Sequence, residues 1–249
     1  MLKFYGLTSG YKRIRKLKDR HRGARCFIIG SGPSLRACDL SELSESGEVS
    51  FAFNRIFHMF TQTDWRPTYY MSEDEKMLKG SVDEVNKMDL KYKFIPVQAK
   101  YYHDVYVDGA IQYKMTYQKS DTRRRLFSSN CAKGINAGST VVYSAMQMAA
   151  YMGFSEIYLL GLDHNFNKSV NNNGEIVIDH SVKDYFSEDY NVDKDDLYIP
   201  NTEESTQTYV DAKYYLDQMG VKVFNATRGG KLEVFERADF DRLMSSDEK

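Results

Sequence analysis

The chain has 249 residues, of which 42% are hydrophobic and 28% charged, enough apolar material to bury a sizeable core and to exclude wholesale disorder. Lys and Arg number 34 against 35 Asp and Glu, so the net charge is -1 and the domain-wide positive field that general nucleic-acid binding needs is absent. Apolar runs such as Cys26–Ile29 and Ile157–Leu162 are far shorter than the roughly 20 residues of a membrane span, and the basic N-terminus lacks the apolar run of a signal peptide.

Residues 10–25 carry Lys12, Arg13, Arg15, Lys16, Lys18, Arg20, Arg22 and Arg25 against Asp19 alone. Tyr11, Ile14, Leu17 and Lys18 fall at helical spacing, which predicts a short basic amphipathic helix ending before Gly23 and an N-terminal unit of residues 1–23. Such a helix either packs on the domain as a solvated face or meets anionic lipid head groups. Residues 24–244 then read as one domain. Its first strand, residues 24–30, runs into Gly30-Ser31-Gly32-Pro33-Ser34, with Asp39 or Ser41 capping a following helix. Further strands are expected at Val49–Phe53, ending in Asn54, at Thr68–Met71, ending in Ser72-Glu73-Asp74, and at Lys93–Val97. Residues 98–137 are Tyr-rich, contain Arg123-Arg124-Arg125, and suggest irregular strands. Ser139–Met152 has the clearest helical stripe, stopped by Gly153, and Glu156–Leu160 is a strand ending in Gly161-Leu162-Asp163-His164. Residues 165–205 read as polar loop, with a lid at about 168–205; a helix at Thr206–Met219 and a strand at Val221–Phe224 close the chain. Strands alternating with helices predict an α/β, Rossmann-like, mostly parallel open sheet with helices on both faces.

In such a sheet the ligand crevice lies beyond the carboxyl ends of the strands. Gly30, Ser31, Gly32, Pro33, Ser34, Asn54, Ser72, Gly161, Asp163 and His164 would converge there, and the glycines would let backbone N–H groups approach a phosphate. The turn is neither G-x-G-x-x-G nor a Walker loop, and a structural turn is the plain alternative. Gly138-Ser139-Thr140 opens the strongest helix, whose N-terminus suits an anion, although Ser139 serves equally as an N-cap. His21 and His58 read as structural, and His103 lies in the unclear Tyr-rich stretch; His164 sits at a strand end and His180 on the expected lid, where it could take a proton from an acceptor hydroxyl. The triplets Asp193-Lys194-Asp195 and Asp239-Phe240-Asp241 follow no apolar strand, so chance explains them better than a metal site, and no metal ligands are assigned. No G-x-S-x-G elbow exists. Cys26, Cys38 and Cys131 make no complete disulfide framework, which favours a reduced, cytoplasmic setting.

Phe27–Leu35 with Asp39-Leu40, Phe53–Phe57, and Gly138–Asp163 resemble bacterial CMP-sialic-acid-dependent sialyltransferases of the lipooligosaccharide type. Asp64–Tyr70, Asp179-His180 with Asp184-Tyr185-Phe186, and Asn225–Thr227 with Gly229–Phe235 resemble a wider sialyltransferase-like set that includes archaeal proteins similar to 6-hydroxymethylpterin pyrophosphokinase. The sialyltransferase resemblance implies a glycosyltransferase of surface-polysaccharide synthesis, taking a CMP-activated sugar acid to a glycan or lipid-linked acceptor. It implies His180 as the base and no obligatory metal or cofactor; the basic N-terminal helix adds the expectation of peripheral contact with the membrane's inner face where the acceptor is lipid-linked. A homo-oligomer would be compatible with it. Ser31 stands where those enzymes carry Asn, Ser72 is the nearest polar group to a second such Asn, and His164 is an addition. The alternatives are a Mg-ATP-dependent pterin-type pyrophosphokinase, with Glu73, Asp74 or Asp163 on the metal, and a non-catalytic nucleotide-binding protein.

Overall fold

A computed structural model describes residues 2–121, 124–171, 173–191 and 198–245. Its centre is an eight-stranded sheet. Strand β1 (Arg25–Ile29) is followed outward by β2 (Ser50–Phe53), β3 (Tyr69–Met71), β4 (Lys93–Pro96) and β5 (Ile111–Tyr113). The chain then returns to the other side of β1 with β8 (Glu156–Leu160), β11 (Lys222–Asn225) and β12 (Glu236–Arg237), and every pairing in the sheet is parallel. The two-residue strands β6 (Met115–Thr116) and β7 (Ile135–Asn136) form a separate parallel pair. The direction of strand addition reverses between β1 and β8, and this is the topological switch point.

Alternation along β1 shows why the run is wholly apolar. Cys26 and Ile28 enter one core, Phe27 and Ile29 the other, and all four are fully buried. The first core is covered by α1 (Leu2–Arg15), α6 (Val141–Tyr151) and α7 (Thr202–Gln218), through Ile14, Met146 and Leu216 among others. The second is covered by α2 (Ala37–Glu45), a 3₁₀ turn at Ile56–Thr61, α3 (Glu75–Lys79), α4 (Val82–Lys87), α5 (Val97–His103) and α8 (Phe240–Met244). The expected Rossmann-like architecture, with helices on both faces, is therefore present.

Several local expectations are corrected. The basic helix spans Leu2–Arg15 and does not continue to residue 22; residues 16–23 are turns. Asp19, His21 and Gly23 N–H groups donate to the carbonyls of Tyr151, Met152 and Gly153, so the basic turn caps the end of α6, where positive charge suits the helix dipole. Leu17 joins Ile14 in the first core. A Cβ at Gly10 would lie 1.7 Å from the Gln112 carbonyl oxygen, so α1 rests directly on β5. Residues 98–137 hold helix α5 as well as short strands. Arg36 is the N-cap of α2, and Asp39 lies within the helix, accepting back from the Arg36 N–H. Thr140, not Ser139, caps α6. The stretch expected to be loop holds the antiparallel hairpin β9 (Lys168–Val170) and β10 (Ile176–Ile178) and a 3₁₀ turn at Glu188–Asn191. Its end belongs to α7, which starts four residues early because Asn201 accepts from the Glu204 N–H at 2.8 Å. Asp193-Lys194-Asp195 and Arg123 fall outside the described residues. Asp239 is the N-cap of α8, and Asp241 pairs with Arg228 at 2.5 Å.

Candidate functional site

The switch point opens into a cleft of about 180 Å³. Its wall includes Gly30, Ser31, Gly32, Asn54, Ser139, Thr140, Gly161, Asp163 and His164. These positions are 134 residues apart at their extremes in sequence, and the parallel register of β1 on β8 brings them together: Ile29 lies beside Leu160, so both strands end at one level.

The two glycine turns interlock. A Cβ at Gly30 would fall 2.3 Å from the Gly161 carbonyl oxygen, and one at Gly32 would fall 1.9 Å from Asp163 Oδ2. Gly161 itself has φ +67°, a conformation that L side chains rarely adopt. The Gly32 N–H donates to the Gly161 carbonyl at 2.9 Å. Ser34 is not on the wall, but its hydroxyl donates to Asp163 Oδ2 at 2.7 Å and fixes that carboxylate. Burial pushes the Asp163 carboxyl above its usual range, and the Ser34 hydrogen bonds oppose the rise. Pro33 also lies off the wall.

Asn54 closes β2 with φ +50°, where Asn is better tolerated than most residues. Ser72 is fully buried behind it and donates to Asn54 Oδ1 at 3.1 Å, so Ser72 orients the amide and does not itself line the cleft. Gly138 is likewise behind the wall: a Cβ there would meet Thr208 Cγ2 at 2.5 Å, so the glycine permits α6 and α7 to approach. Ser139 and Thr208 hydroxyls lie 2.8 Å apart, and Thr140 accepts from the Val142 N–H at 3.3 Å.

The histidines separate clearly. His21 Nε2 is 2.7 Å from the Tyr69 hydroxyl and stacks on Phe154, a structural setting. His58 lies on the 3₁₀ turn, and His103 is exposed at the end of α5. His164 lines the cleft with φ +52°, and burial lowers its pKa. His180 is exposed in the turn after β10 and is not on the cleft wall.

The sequence reading gave no role to the aromatic side of the cleft. Tyr190 is buried; its hydroxyl donates to Ser31 Oγ at 3.1 Å, and its carbonyl accepts from the buried Arg55 guanidinium at 2.7 Å. Tyr185 stacks on Tyr190 at 4.1 Å between ring centroids. Phe53, Phe166 and Tyr209 complete the aromatic lining, and Asp184 adds a second carboxylate, which accepts from the Asn167 N–H. The dense Tyr content was the visible signal, but which tyrosines reach a cleft depends on the path of residues 179–191 over the sheet edge.

A model of the family described as "6-hydroxymethylpterin diphosphokinase MptE-like" matches residues 4–169, two thirds of the chain. That span contains both glycine turns, Asn54, Ser72, Gly138–Thr140, Asp163 and His164, and it stops short of His180. A search of curated proteins finds no match. The family match supports the pterin-diphosphokinase side of the resemblance and does not extend to the sialyltransferases. The chain belongs to the 6-hydroxymethylpterin diphosphokinase MptE-like family.

Proposed function

We propose that the protein is a nucleotide-dependent transferase that moves a group from a nucleoside-phosphate donor to an acceptor hydroxyl and releases a nucleoside monophosphate. The observation that carries this reading is the cleft at the switch point, where both glycine turns, Asn54, Asp163 and His164 share one wall. The N-terminus of α6 adds the positive end of a helix dipole on the same wall.

The family description supplies the finer reading, in which diphosphate passes from ATP to the hydroxymethyl group of a pterin-like heterocycle. The acceptor oxygen would bond to the β-phosphorus, the bond from that phosphorus to the α,β-bridging oxygen would break, and AMP would leave with the electron pair. The aromatic lining suits a flat heterocycle. This chemistry uses Mg²⁺, which typically takes one or two carboxylates together with substrate phosphates. Asp163 and Asp184 fit that requirement, and the ion would neutralise phosphate charge. Among the described residues, no group of three or more His, Cys, Asp or Glu forms a dedicated protein cage.

One observation favours a second reading. Among the described residues, no Lys or Arg lines the cleft. A CMP-activated sugar acid carries one phosphodiester and one carboxylate charge, fewer than a triphosphate, so N–H groups and a helix N-terminus balance it more readily, and it would release CMP. The test is thermal unfolding with ATP, CTP or CMP, each with Mg²⁺ or with EDTA, followed by assay of AMP or CMP release. Stabilisation by ATP that EDTA abolishes is the expected result for diphosphate transfer. Stabilisation by CMP that survives EDTA selects the second reading. Binding without release identifies a non-catalytic nucleotide-binding protein, and no response to any nucleotide overturns all three.

A further inference from the structure

A second cavity, of about 220 Å³, lies where α1 and α5 meet the lead-in to β5. Gly109 and Ala110 precede β5, whose parallel pairing puts this end of the strand on the edge of the sheet opposite the cleft, and the two cavities share no residue. The wall carries Arg13 and Lys100 and no Asp or Glu. Contacts with other wall residues place both cationic heads at the cavity. Arg13 Nη1 donates to the Gly109 and Ala110 carbonyls at 3.0 and 3.2 Å, and Lys100 Nζ lies 4.9 Å from the centre of the Tyr106 ring. The close seating of α1 on β5 at Gly10, another wall residue, brings Arg13 to those carbonyls. The Nε and Nη2 donors of Arg13 remain, with no acceptor among the described residues. Neutral carbonyls and a ring leave both charges uncancelled, and among the described residues neither cation forms an ion pair. Asp104 and Asp108, on the same segment, are exposed and off the wall.

We propose that this cavity binds a phosphate monoester, with Arg13 and Lys100 as its cationic partners. Such a group carries about −1.5 to −2 at pH 7, which two uncancelled cations match better than they match a single carboxylate. Arg suits it through a planar array of donors and Lys as a point charge. The exposed Lys12 and Arg15 of α1, with Lys16 just beyond it, add to the positive field that draws an anion in. The same chemistry occurs in a lipid head group such as phosphatidic acid and in a soluble sugar phosphate, and the experiment separates the two. The inference does not depend on the transferase reading, because the cavity lies apart from the cleft.

The test is amide NMR of the full-length chain, with inorganic phosphate and glycerol 3-phosphate as probes. Saturable shifts are expected at Gly10, Gly109 and Ala110, read separately from Gly32 and Gly161, which report on the cleft. Lys100→Gln, at an exposed position, should weaken this binding about tenfold or more, the range of a charge-assisted hydrogen bond. Lys12→Gln removes the same charge from α1 but off the wall, and should change the binding less than about twofold. Flotation with phosphatidylcholine vesicles that contain phosphatidic acid or, at equal charge, phosphatidylserine then identifies the source. A preference for phosphatidic acid that Lys100→Gln removes supports a lipid head group. Saturable binding of glycerol 3-phosphate with no vesicle preference supports a soluble ligand. No saturable shift at the three amides, or equal weakening by Lys100→Gln and Lys12→Gln, would overturn the site, while the nucleotide response of the cleft is judged separately.

Discussion

At Asn54, local backbone and cleft chemistry meet. Its positive φ and the bond from Ser72 hold one amide at the end of β2, facing the cleft. Asn54→Gly retains the backbone conformation while removing the amide, so it separates binding from strain. We expect nucleotide affinity to fall between a few-fold and about a hundredfold, the range of a hydrogen bond worth about 1–3 kcal/mol, with little change in unfolding. Titration calorimetry beside thermal denaturation checks both. Glu73 is a second residue with a distinct signature. It accepts from the Tyr113 hydroxyl at 2.5 Å, and burial pushes its pKa up to about 7, opposed by the Tyr113 hydrogen bond. The unfolded carboxyl ionises near its ordinary 4.5 and the folded one near 7. Stability from this group is therefore full below about pH 4.5 and falls as pH rises to about 7, by at most about 3 kcal/mol. Glu73→Gln should flatten that window and stabilise the protein at pH 8, as chemical denaturation at a series of pH values would show.

Among the elements, the segment running from the β9–β10 hairpin through the 3₁₀ turn at Glu188–Asn191 decides the shape of the cleft. It is tied down at Ser31, whose carbonyl accepts from the Phe186 N–H at 3.1 Å and whose side chain meets the Tyr190 hydroxyl. The hairpin itself is exposed, with Ile176, Val177 and Ile178 each at least 50% accessible. Few buried contacts and solvent-exposed ladder bonds mark low local stability. Amide exchange in residues 168–171 and 173–191 should be fast in the free protein and slow several-fold with bound nucleotide, most at Phe186 and Tyr190. Exchange that is uniformly slow without ligand would contradict this lid-like behaviour.

For the whole molecule, a net charge of -1 coexists with a basic N-terminal segment whose Lys12, Lys16 and Lys18 are exposed. Peripheral contact with anionic head groups is our proposal for that face, since each basic residue near such a surface contributes about 1 kcal/mol. Truncation at residue 23 is an unsuitable test, because it would strip Ile14 and Leu17 from the core. Replacing Lys12, Lys16 and Lys18 by Gln in the full chain removes charge without touching packing. The unmodified protein should sediment with phosphatidylserine vesicles at low salt, and the triple variant should lose most of that binding. Equal sedimentation of the two would leave the segment its structural role at the end of α6.

Local signals carried most of the architecture. The apolar run at Cys26–Ile29, the stripe of α6 and the small or polar residues closing each strand specify a parallel sheet and the edge at which a ligand would sit, because periodicity and turn chemistry are short-range properties. They also singled out Gly30, Asn54, Asp163 and His164, since glycine turns and strand ends are legible one at a time. What they could not determine is which side chains meet across the fold. That Ser34 and Ser72 support other residues from behind the cleft wall, that Tyr190 closes it over Ser31, and that Thr206 meets the His164 ring all depend on contacts between residues 18 to 159 positions apart. Such contacts are decided by strand register, by the crossover at β1 and β8, and by the path of the 168–191 segment, none of which is written in any single stretch of chain.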